Sequence, residues 1–529
     1  MDMKNKIIEN LIISALCIVG AIYVLLYINA AVVDVPVSDY LRIINYYYED
    51  VFDLHYLFSI ECFSRVPFTF MTRIINASLF NFSTNFDRII SVIGLFIFNF
   101  VILKYVFKTF NNNILKIMTS IMVTSTSFSL ISWEMLLNGT GHPHYIALAL
   151  FVLAYYIYDK HYKDWYLIAH ENDIKGEDLP NSSVGAKHRE PAIVGAKFTS
   201  PHSDIHQKSI ILYLAYVVIS SLGFGGSYMV AFLFTISAFC FLFYVVNFVN
   251  NDNKSISNKL TNRFQLNNIV TIIVSALAVL LFQISNNSGE PYVHIGMKDI
   301  SFTEMLSQDF TFPIRFLAKA LVSSIIGVDN ITFAMQIYSI NDFVVYAISI
   351  LIIIMLIFVS VMIIKKEYYK KYLFVMLLAF NGLANYMLIF LARYKFLDDT
   401  YGMTSRYGIQ YMFLTIAVII VLFKVMDDNL DIGSKTIATS NYKVNHFISF
   451  VSAMMLICLL STNLTTNYHE QVIAKYRKET YQRAKDVALN IDSYSDDELP
   501  NIFEFHRGVD QIKKAFTIIK EKKYNIFSE

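Results

Sequence analysis

Charged residues are scarce in this chain. Only 16% of its 529 residues are Asp, Glu, Lys or Arg, whereas 55% are hydrophobic, which is outside the usual composition of a soluble domain. The 43 Lys and Arg residues balance the 42 Asp and Glu residues, so no net field recruits nucleic acid or a strongly acidic partner. The composition predicts an integral membrane protein whose function depends on local sites.

Several kinds of chemistry lack the residues that they need. The four cysteines (Cys17, Cys62, Cys240 and Cys458) are spaced neither as metal ligands nor as a disulfide framework. The chain has no glycine-rich phosphate loop, no dinucleotide-binding fingerprint and no nucleophile elbow. Charges inside the apolar segments are few, and no paired, broken helices recur in two halves, which argues against a secondary transporter. Cysteine chemistry and nucleotide-driven chemistry are therefore disfavoured.

Long apolar segments, in contrast, are abundant. A helix needs roughly 17–25 apolar residues to cross the hydrocarbon layer, and about eleven segments meet this criterion. We therefore predict an all-α, polytopic bundle of transmembrane helices, in which the first segment (7–33) is a retained span rather than a cleaved signal. The predicted spans are centred near Leu25, Phe98, Val123, Ala149, Val217, Thr235, Ala276, Ile353, Ala379, Ala417 and Ala453.

Basic residues are unevenly shared among the connections between these spans. Connections rich in Lys and Arg alternate with long, irregular ones, and the positive excess marks the former as cytoplasmic. We predict a multi-pass protein of the cell membrane with a cytoplasmic N-terminus and an extracytoplasmic C-terminal tail. Lys475, Arg477 and Lys478 follow the last span closely and would also suit the cytoplasm, so one span more or fewer would invert the tail.

The pattern divides the chain into a transmembrane domain (1–463) and a small tail (464–529). Three connections are long: a first outer loop (34–88), a polar and flexible cytoplasmic insertion (159–208), and a later outer loop (286–342). Near-helical spacing of apolar residues predicts helices lying in the membrane interface at 56–75 and 302–326, and a short exposed helix at 469–489.

A turn with two carboxylates follows the first span. Asp34 and Asp39 lie on either side of Pro36, which breaks the helix. One interpretation is a solvated loop or helix cap, because charges at a membrane boundary are common. The functional hypothesis is a general base that removes a proton from an acceptor hydroxyl while a lipid-linked donor stays dissolved in the bilayer.

Two arginines lie at the same predicted outer boundary, where topology disfavours positive charge. Arg65 and Arg406 each offer a planar guanidinium that binds phosphate oxygens in pairs and stabilises a departing phosphate. The alternative is that each side chain only extends from a helix end toward water.

A short outer turn carries a carboxylate and two imidazoles. Glu134, His142 and His144 are competent ligands for a divalent metal. Two histidines two residues apart do not have the spacing of a zinc site, however, and no third ligand is placed by the sequence. We therefore predict that these residues bind an acceptor or a sugar, with no metal and no cofactor, and a divalent metal is the alternative.

The chain combines many spans, a long first outer loop with an Asp directly after the first span, and a later outer Ser405-Arg406-Tyr407. This arrangement resembles the GT-C superfamily of membrane glycosyltransferases. The resemblance covers the arrangement of about the first 460 residues. It implies an inverting transfer of a sugar from a polyprenyl-phosphate carrier to a cell-envelope glycan or lipid-linked acceptor on the outer face. It also implies that Asp39, or alternatively Asp34, is the catalytic base, and that Arg65 and Arg406 face the donor phosphate.

The chain departs from several members of that superfamily. It lacks a clear pair of acidic residues at the first site, and it has a small tail instead of a large outer domain. Two other functions fit the same features: a polymerase of surface polysaccharide of the O-antigen or capsule type, and a flippase or transporter of lipid-linked sugars without chemistry. In each case the partners are the lipid bilayer and lipid-linked sugars, and not nucleic acid.

Overall fold

A computed structural model describes residues 3–58, 67–176, 213, 215–218, 226–250, 258–287, 296–433 and 439–528. Across these ranges the chain is helical and contains no β-strand, in agreement with the predicted fold class. The α-helices are α1 (Met3–Ala31), α2 (Asp39–Tyr47), α3 (Pro67–Phe80), α4 (Thr84–Thr109), α5 (Asn113–Ser127), α6 (Trp133–Leu137), α7 (His142–Gly176), α8 (Met229–Asn250), α9 (Asn258–Asn287), α10 (Phe302–Gln308), α11 (Phe312–Ile326), α12 (Val328–Ile337), α13 (Asp342–Lys365), α14 (Tyr368–Lys371), α15 (Leu373–Arg393), α16 (Gly408–Gly433), α17 (Thr439–Leu489), α18 (Leu499–Ile502) and α19 (Val509–Glu521).

In the described part of the chain, eight helices are long and apolar enough to cross a membrane. These helices are α1, α4, α5, α9, α13, α15, α16 and α17. They match eight of the predicted spans and support a multi-pass protein in a lipid bilayer. The pair α11 and α12, bent by 102°, would make a ninth. The predicted spans near Ala149 and Thr235 correspond to α7 and to a shorter apolar helix (Met229–Val245), and the one near Val217 lies largely outside the described residues. The count of eleven stays a prediction.

The bundle is built around α16. Of its apolar stretch 89% is buried, against 28% for α13, and it packs against α5, α15 and α17. The approach of α15 is close because Gly382 faces α16: a Cβ at this position would lie 2.6 Å from the backbone nitrogen of Leu414. Outward-facing apolar side chains such as Leu351, which is 65% exposed, fit contact with lipid.

The end of the bundle farthest from the first outer loop is held by a basic residue. Lys424 near the end of α16 forms ion pairs with Asp427 (2.7 Å) and Asp428 (3.0 Å). Asp427 in turn accepts hydrogen bonds from the backbone N–H groups of Asn111 and Asn112, between α4 and α5. The turn between these two spans is therefore fixed to the end of the central helix.

A second hydrophobic core lies at the opposite end, between the first outer loop and the tail. Helix α2 packs against α19, and the backbone N–H of Asn525 donates to the carbonyl oxygen of Asn81 (2.7 Å). We call this unit the loop-tail core. Its buried members include Tyr40, Leu41, Ile44, Tyr47, Tyr48 and Phe82 of the loop and Ala484, Phe503, Ile512, Phe516 and Ile519 of the tail.

The last span and the tail are not separated as the sequence suggested. The exposed helix predicted at 469–489 is no separate element, because α17 continues without interruption from Thr439 to Leu489. The chain has no glycine or proline between these residues to end the helix. A predicted boundary at 463 therefore falls inside a helix.

The predicted interfacial helices also differ from the observed ones. The segment 302–326 is divided between α10 and α11, because Asp309 caps the turn between them by accepting from the Thr311 backbone N–H (3.0 Å) and Pro313 starts the second helix. The segment 56–75 is helical from Pro67 onward, in α3, and residues 59–66 lie outside the described ranges. The polar insertion begins as a continuation of α7 to Gly176.

Replacement of Gly382 by alanine tests the close packing of α15 on α16. The added methyl group collides with backbone atoms that have little freedom to move, so we expect a loss of about 1–3 kcal/mol. Leu383→Ala is the matched control, because Leu383 is the next residue and is 48% exposed. Thermal unfolding of the two purified variants should show a lower midpoint for Gly382→Ala alone, and equal midpoints would contradict the packing.

Candidate functional site

Asp39 lies at the loop-tail end, between two anchored neighbours. The backbone N–H of Ser38 donates to the carbonyl oxygen of Phe503 in the tail (2.8 Å), and the Tyr40 hydroxyl donates to the carboxylate of Asp87 (2.8 Å). Ser38 adopts a positive φ of 54° and its side chain makes no capping bond to α2, whereas Asp39 lies in the first turn of that helix and pairs with Arg42 (3.7 Å). The Asp39 side chain is 51% exposed. An accessible carboxylate is thus carried on a firmly held backbone.

Arg406 lies within electrostatic range of this carboxylate and is held by other side chains. Its Nη2 lies 2.5 Å from Oε1 of Glu134, and the Ser405 hydroxyl donates to the other oxygen of Glu134 (3.2 Å). Asp39 is close enough to interact electrostatically with the guanidinium. The Nε of Arg406 is buried and has no hydrogen-bond acceptor among the described residues, although the side chain as a whole is 38% exposed.

The extension of α17 and the tail bring further charges to the same place. The Arg477 guanidinium lies 3.2 Å from the centre of the Trp133 ring, and its Nη2 pairs with Glu470 (2.9 Å) and Asp329 (3.1 Å). Glu504 in the tail interacts electrostatically with both Arg477 and Glu134. We call this group the mouth cluster, which consists of Asp39, Trp133, Glu134, Arg406, Arg477 and Glu504.

Glu504 has an unusual electrostatic environment within the mouth cluster. Enclosure by the surrounding protein and the negative charge of Glu134 raise the pKa of its carboxyl above the usual range, while Arg477 and His506 oppose the change. The side chain nevertheless reaches solvent. Raised carboxyl pKa values are common at functional sites.

Asp34, the alternative catalytic base, has a different environment. Its carboxylate accepts hydrogen bonds from the hydroxyls of Ser83 (2.5 Å) and Thr84 (2.6 Å), from the Thr84 backbone N–H (2.8 Å) and from the Asn525 side chain (2.8 Å). Three of these donors contact Oδ1 and one contacts Oδ2, so the carboxylate is held by four internal partners. We therefore assign Asp34 a structural role, in which it connects the start of α4 to the tail.

The two histidines of the predicted sugar-binding turn have different surroundings. His142 is fully buried, with Nε2 2.8 Å from the Thr72 hydroxyl and Nδ1 3.7 Å from the carboxylate of Asp87. The His144 ring lies 4.2 Å from the ring of Tyr228. Within the described ranges no three His, Cys, Asp or Glu side chains are grouped closely enough to share a metal ion.

Arg65, the second arginine expected to face the donor phosphate, lies outside the described residues. Of the two predicted arginines, Arg406 is therefore the one whose surroundings are known.

Two of the residues at this end were missed by inspection of the sequence. Asp87 is buried in the first turn of α4, where Arg73 and Arg88 act on it electrostatically, and its signal was a carboxylate at the start of an apolar span. Glu504 had a weaker signal, an acidic residue between two phenylalanines in the tail.

No protein-family model matches the sequence, and comparisons with curated proteins and with solved structures found no match. The function is therefore inferred from the mouth cluster and its surroundings.

Substitution of Asp34 separates its role from that of Asp39. Asp34→Asn replaces an acceptor oxygen by a donor facing other donors, so we expect a loss of about 2–3 kcal/mol, a lower unfolding midpoint and faster proteolysis of the tail. Asn525→Ala removes only one of the four bonds and should have a smaller effect. Asp39→Asn should leave the unfolding midpoint unchanged, and an equal loss in Asp39→Asn and Asp34→Asn would contradict this assignment.

Proposed function

We propose that this protein is a membrane glycosyltransferase of the GT-C type. It moves a sugar from a polyprenyl-phosphate carrier to a cell-envelope glycan or a lipid-linked acceptor, with inversion at the anomeric carbon. The observation that supports this most directly is the exposed Asp39 carboxylate, anchored on both sides and within electrostatic range of Arg406.

The chemistry follows from these two side chains. The Asp39 carboxylate accepts the proton of an acceptor hydroxyl, and the resulting oxygen attacks the anomeric carbon of the donor. The bond between that carbon and the phosphate oxygen breaks on the opposite face, so the configuration inverts and the lipid phosphate leaves with the bonding electrons. Binding both substrates at this site supplies the alignment that such a displacement requires.

Arg406 stabilises the phosphate that leaves. A buried N–H without an acceptor is energetically unfavourable, and a phosphate oxygen would satisfy the Nε–H of Arg406. Both carboxylate oxygens of Glu134 are already used by Arg406 and Ser405. We therefore assign Glu134 to positioning Arg406 rather than to binding a sugar.

We place the mouth cluster on the extracytoplasmic side, with eleven crossings, a cytoplasmic N-terminus and an extracytoplasmic tail. The basic contact at Lys424 lies at the other end of the bundle, as the positive-inside rule requires. The count of eleven is supported near α7: the Tyr213 and Tyr158 rings lie 6.2 Å apart, and the Tyr216 hydroxyl donates to the Leu150 carbonyl (2.9 Å). From Tyr213 to Tyr216 the contacts move back along α7, from Tyr158 to Leu150, as in an additional antiparallel span.

Asp39→Asn should abolish transfer. Loss of a general base lowers the rate by about 100-fold or more, while expression and membrane insertion stay intact. The assay uses proteoliposomes with the full chain, a polyprenyl-monophosphate-linked hexose from a panel of common sugars, and a polyprenyl-diphosphate-linked saccharide as acceptor. Mass spectrometry detects the new glycosidic bond.

Asp53→Asn serves as the matched control, because Asp53 is an exposed carboxylate of the same loop that only caps the backbone N–H of His55 (2.8 Å). Full activity of Asp39→Asn would remove Asp39 from the catalytic role. Polymerised repeat units as product would identify a polymerase, and translocated lipid without a new bond would identify a flippase.

Arg406→Gln should lower kcat by about 100-fold, because a fixed donor to the leaving phosphate is lost. Arg406→Lys should recover only part of the rate, since an ammonium group keeps the charge but not the planar geometry. Arg483→Gln, a change at an exposed arginine of α17, is the control and should leave kcat unchanged. Equal kcat values for all three variants would exclude Arg406 from the reaction.

A further inference from the structure

The tail reaches the mouth cluster through a single tight turn. Phe503 and Phe505 are buried in the loop-tail core, whereas Glu504 between them is exposed and has a φ of 51°. The Phe503 carbonyl accepts from Ser38, and the Phe505 N–H donates to the Pro500 carbonyl (2.9 Å). The backbone on both sides is therefore fixed, and Glu504 is held outward in a conformation that non-glycine residues rarely adopt.

This turn brings the backbone of Glu504 close to the backbone that carries the base. The hydrogen bond between Ser38 and Phe503 joins the two chain segments, and the residue that follows each partner is an acidic one, Asp39 on the loop and Glu504 on the tail. Two carboxyl groups thus extend from neighbouring, mutually anchored backbones.

Glu504 also differs from the neighbouring glutamates in its contacts. Glu134 is occupied by Arg406 and Ser405, and Glu470 by Arg477 and the Tyr27 hydroxyl (3.2 Å). Glu504, in contrast, makes no hydrogen bond or ion pair within the described ranges, and Arg477 and Glu134 act on it only through longer-range electrostatics. An accessible carboxyl held in a strained turn without an internal partner is suited to bind a ligand.

We propose that Glu504 is a specificity-determining residue that binds a hydroxyl group of the acceptor saccharide. This inference rests on the proposed transferase function and adds the acceptor site to it. The carboxyl accepts a hydrogen bond from a hydroxyl next to the one that Asp39 deprotonates, and so aligns the acceptor for attack. A neutral polyol suits this position, because a carboxyl group without an internal partner accepts readily from a hydroxyl.

Three variants separate recognition from a purely structural role. Glu504→Gln keeps the shape and removes the charge, and Glu504→Asn suits the positive φ better than Glu does. Both should raise the acceptor KM by about 10- to 100-fold, as expected for a lost charged hydrogen bond, with kcat changed much less. Glu498→Gln, a change at an exposed tail carboxylate, is the control and should leave KM unchanged.

A structural role predicts a different result for Glu504→Asn. If the side chain served only the turn, this variant would unfold at the same or a higher temperature and keep the wild-type KM. An unchanged acceptor KM in either Glu504 variant, in protein with full transfer activity, would overturn the inference.

A binding measurement keeps the inference independent of catalysis. Trp133 and Trp165 are the two tryptophans of the chain, so a Trp165→Phe background leaves Trp133 of the mouth cluster as the fluorescent reporter. Titration of this full-length protein with methyl glycosides of glucose, galactose, mannose and N-acetylglucosamine should give a saturable change with at least one of them. Glu504→Gln should weaken that binding about 10-fold or more.

The outcomes of this titration are distinct. Saturable binding that depends on Glu504, without transfer in proteoliposomes, would retain the saccharide site and remove the proposed transferase. No saturable response to any of the four glycosides, or equal binding in Glu504→Gln, would overturn the inference.

Discussion

The carboxylate of Asp34 is the interaction on which the loop-tail end depends. It follows the first span and accepts hydrogen bonds from Ser83 and Thr84, at the start of the second, and from Asn525, near the end of the chain. A negative charge at the N-terminus of α4 is also favoured by the helix dipole. The Asp34 side chain thus connects segments up to 491 residues apart. Asp39 and its backbone contacts lie between the segments that Asp34 connects.

Three aspartates of this region show how environment assigns different roles to one residue type. Asp34 accepts from four internal donors, Asp87 is buried among cations and the Tyr40 hydroxyl, and Asp39 is exposed. The sequence predicted a charged turn at 33–42 but left Asp34 and Asp39 equivalent until the resemblance ranked them. The donors that distinguish Asp34 lie at the start of α4 and in the tail. A linear pattern carries no information about such distant partners.

The spans were predictable because the bilayer makes hydropathy a local property of the sequence: a segment that is long and apolar enough crosses, whatever its neighbours. The bend of 102° after Ile326 and the division at Asp309 depend instead on local capping and tertiary packing. The loop-tail core was missed because its amphipathic helices, such as α19, show an apolar face but not the partner that covers it. Glu504 was missed for the same reason, since its role depends on which element the tail meets.

Docking of the tail brings Glu504 to the mouth cluster and fixes the backbone beside Asp39. The hydrogen bond from the Ser38 N–H to the Phe503 carbonyl joins the loop to the tail, and it anchors the backbone beside both Asp39 and Glu504. The bundle, in contrast, has its own core around α16 and reaches the tail through the unbroken helix α17. Tyr481 packs against both cores, but their buried members are distinct. We therefore expect a change that undocks the tail to remove Glu504 and loosen Asp39 while the membrane bundle keeps most of its packing. The small tail is therefore part of the proposed site, and the backbone positions of Asp39 and Glu504 depend on the same docked state.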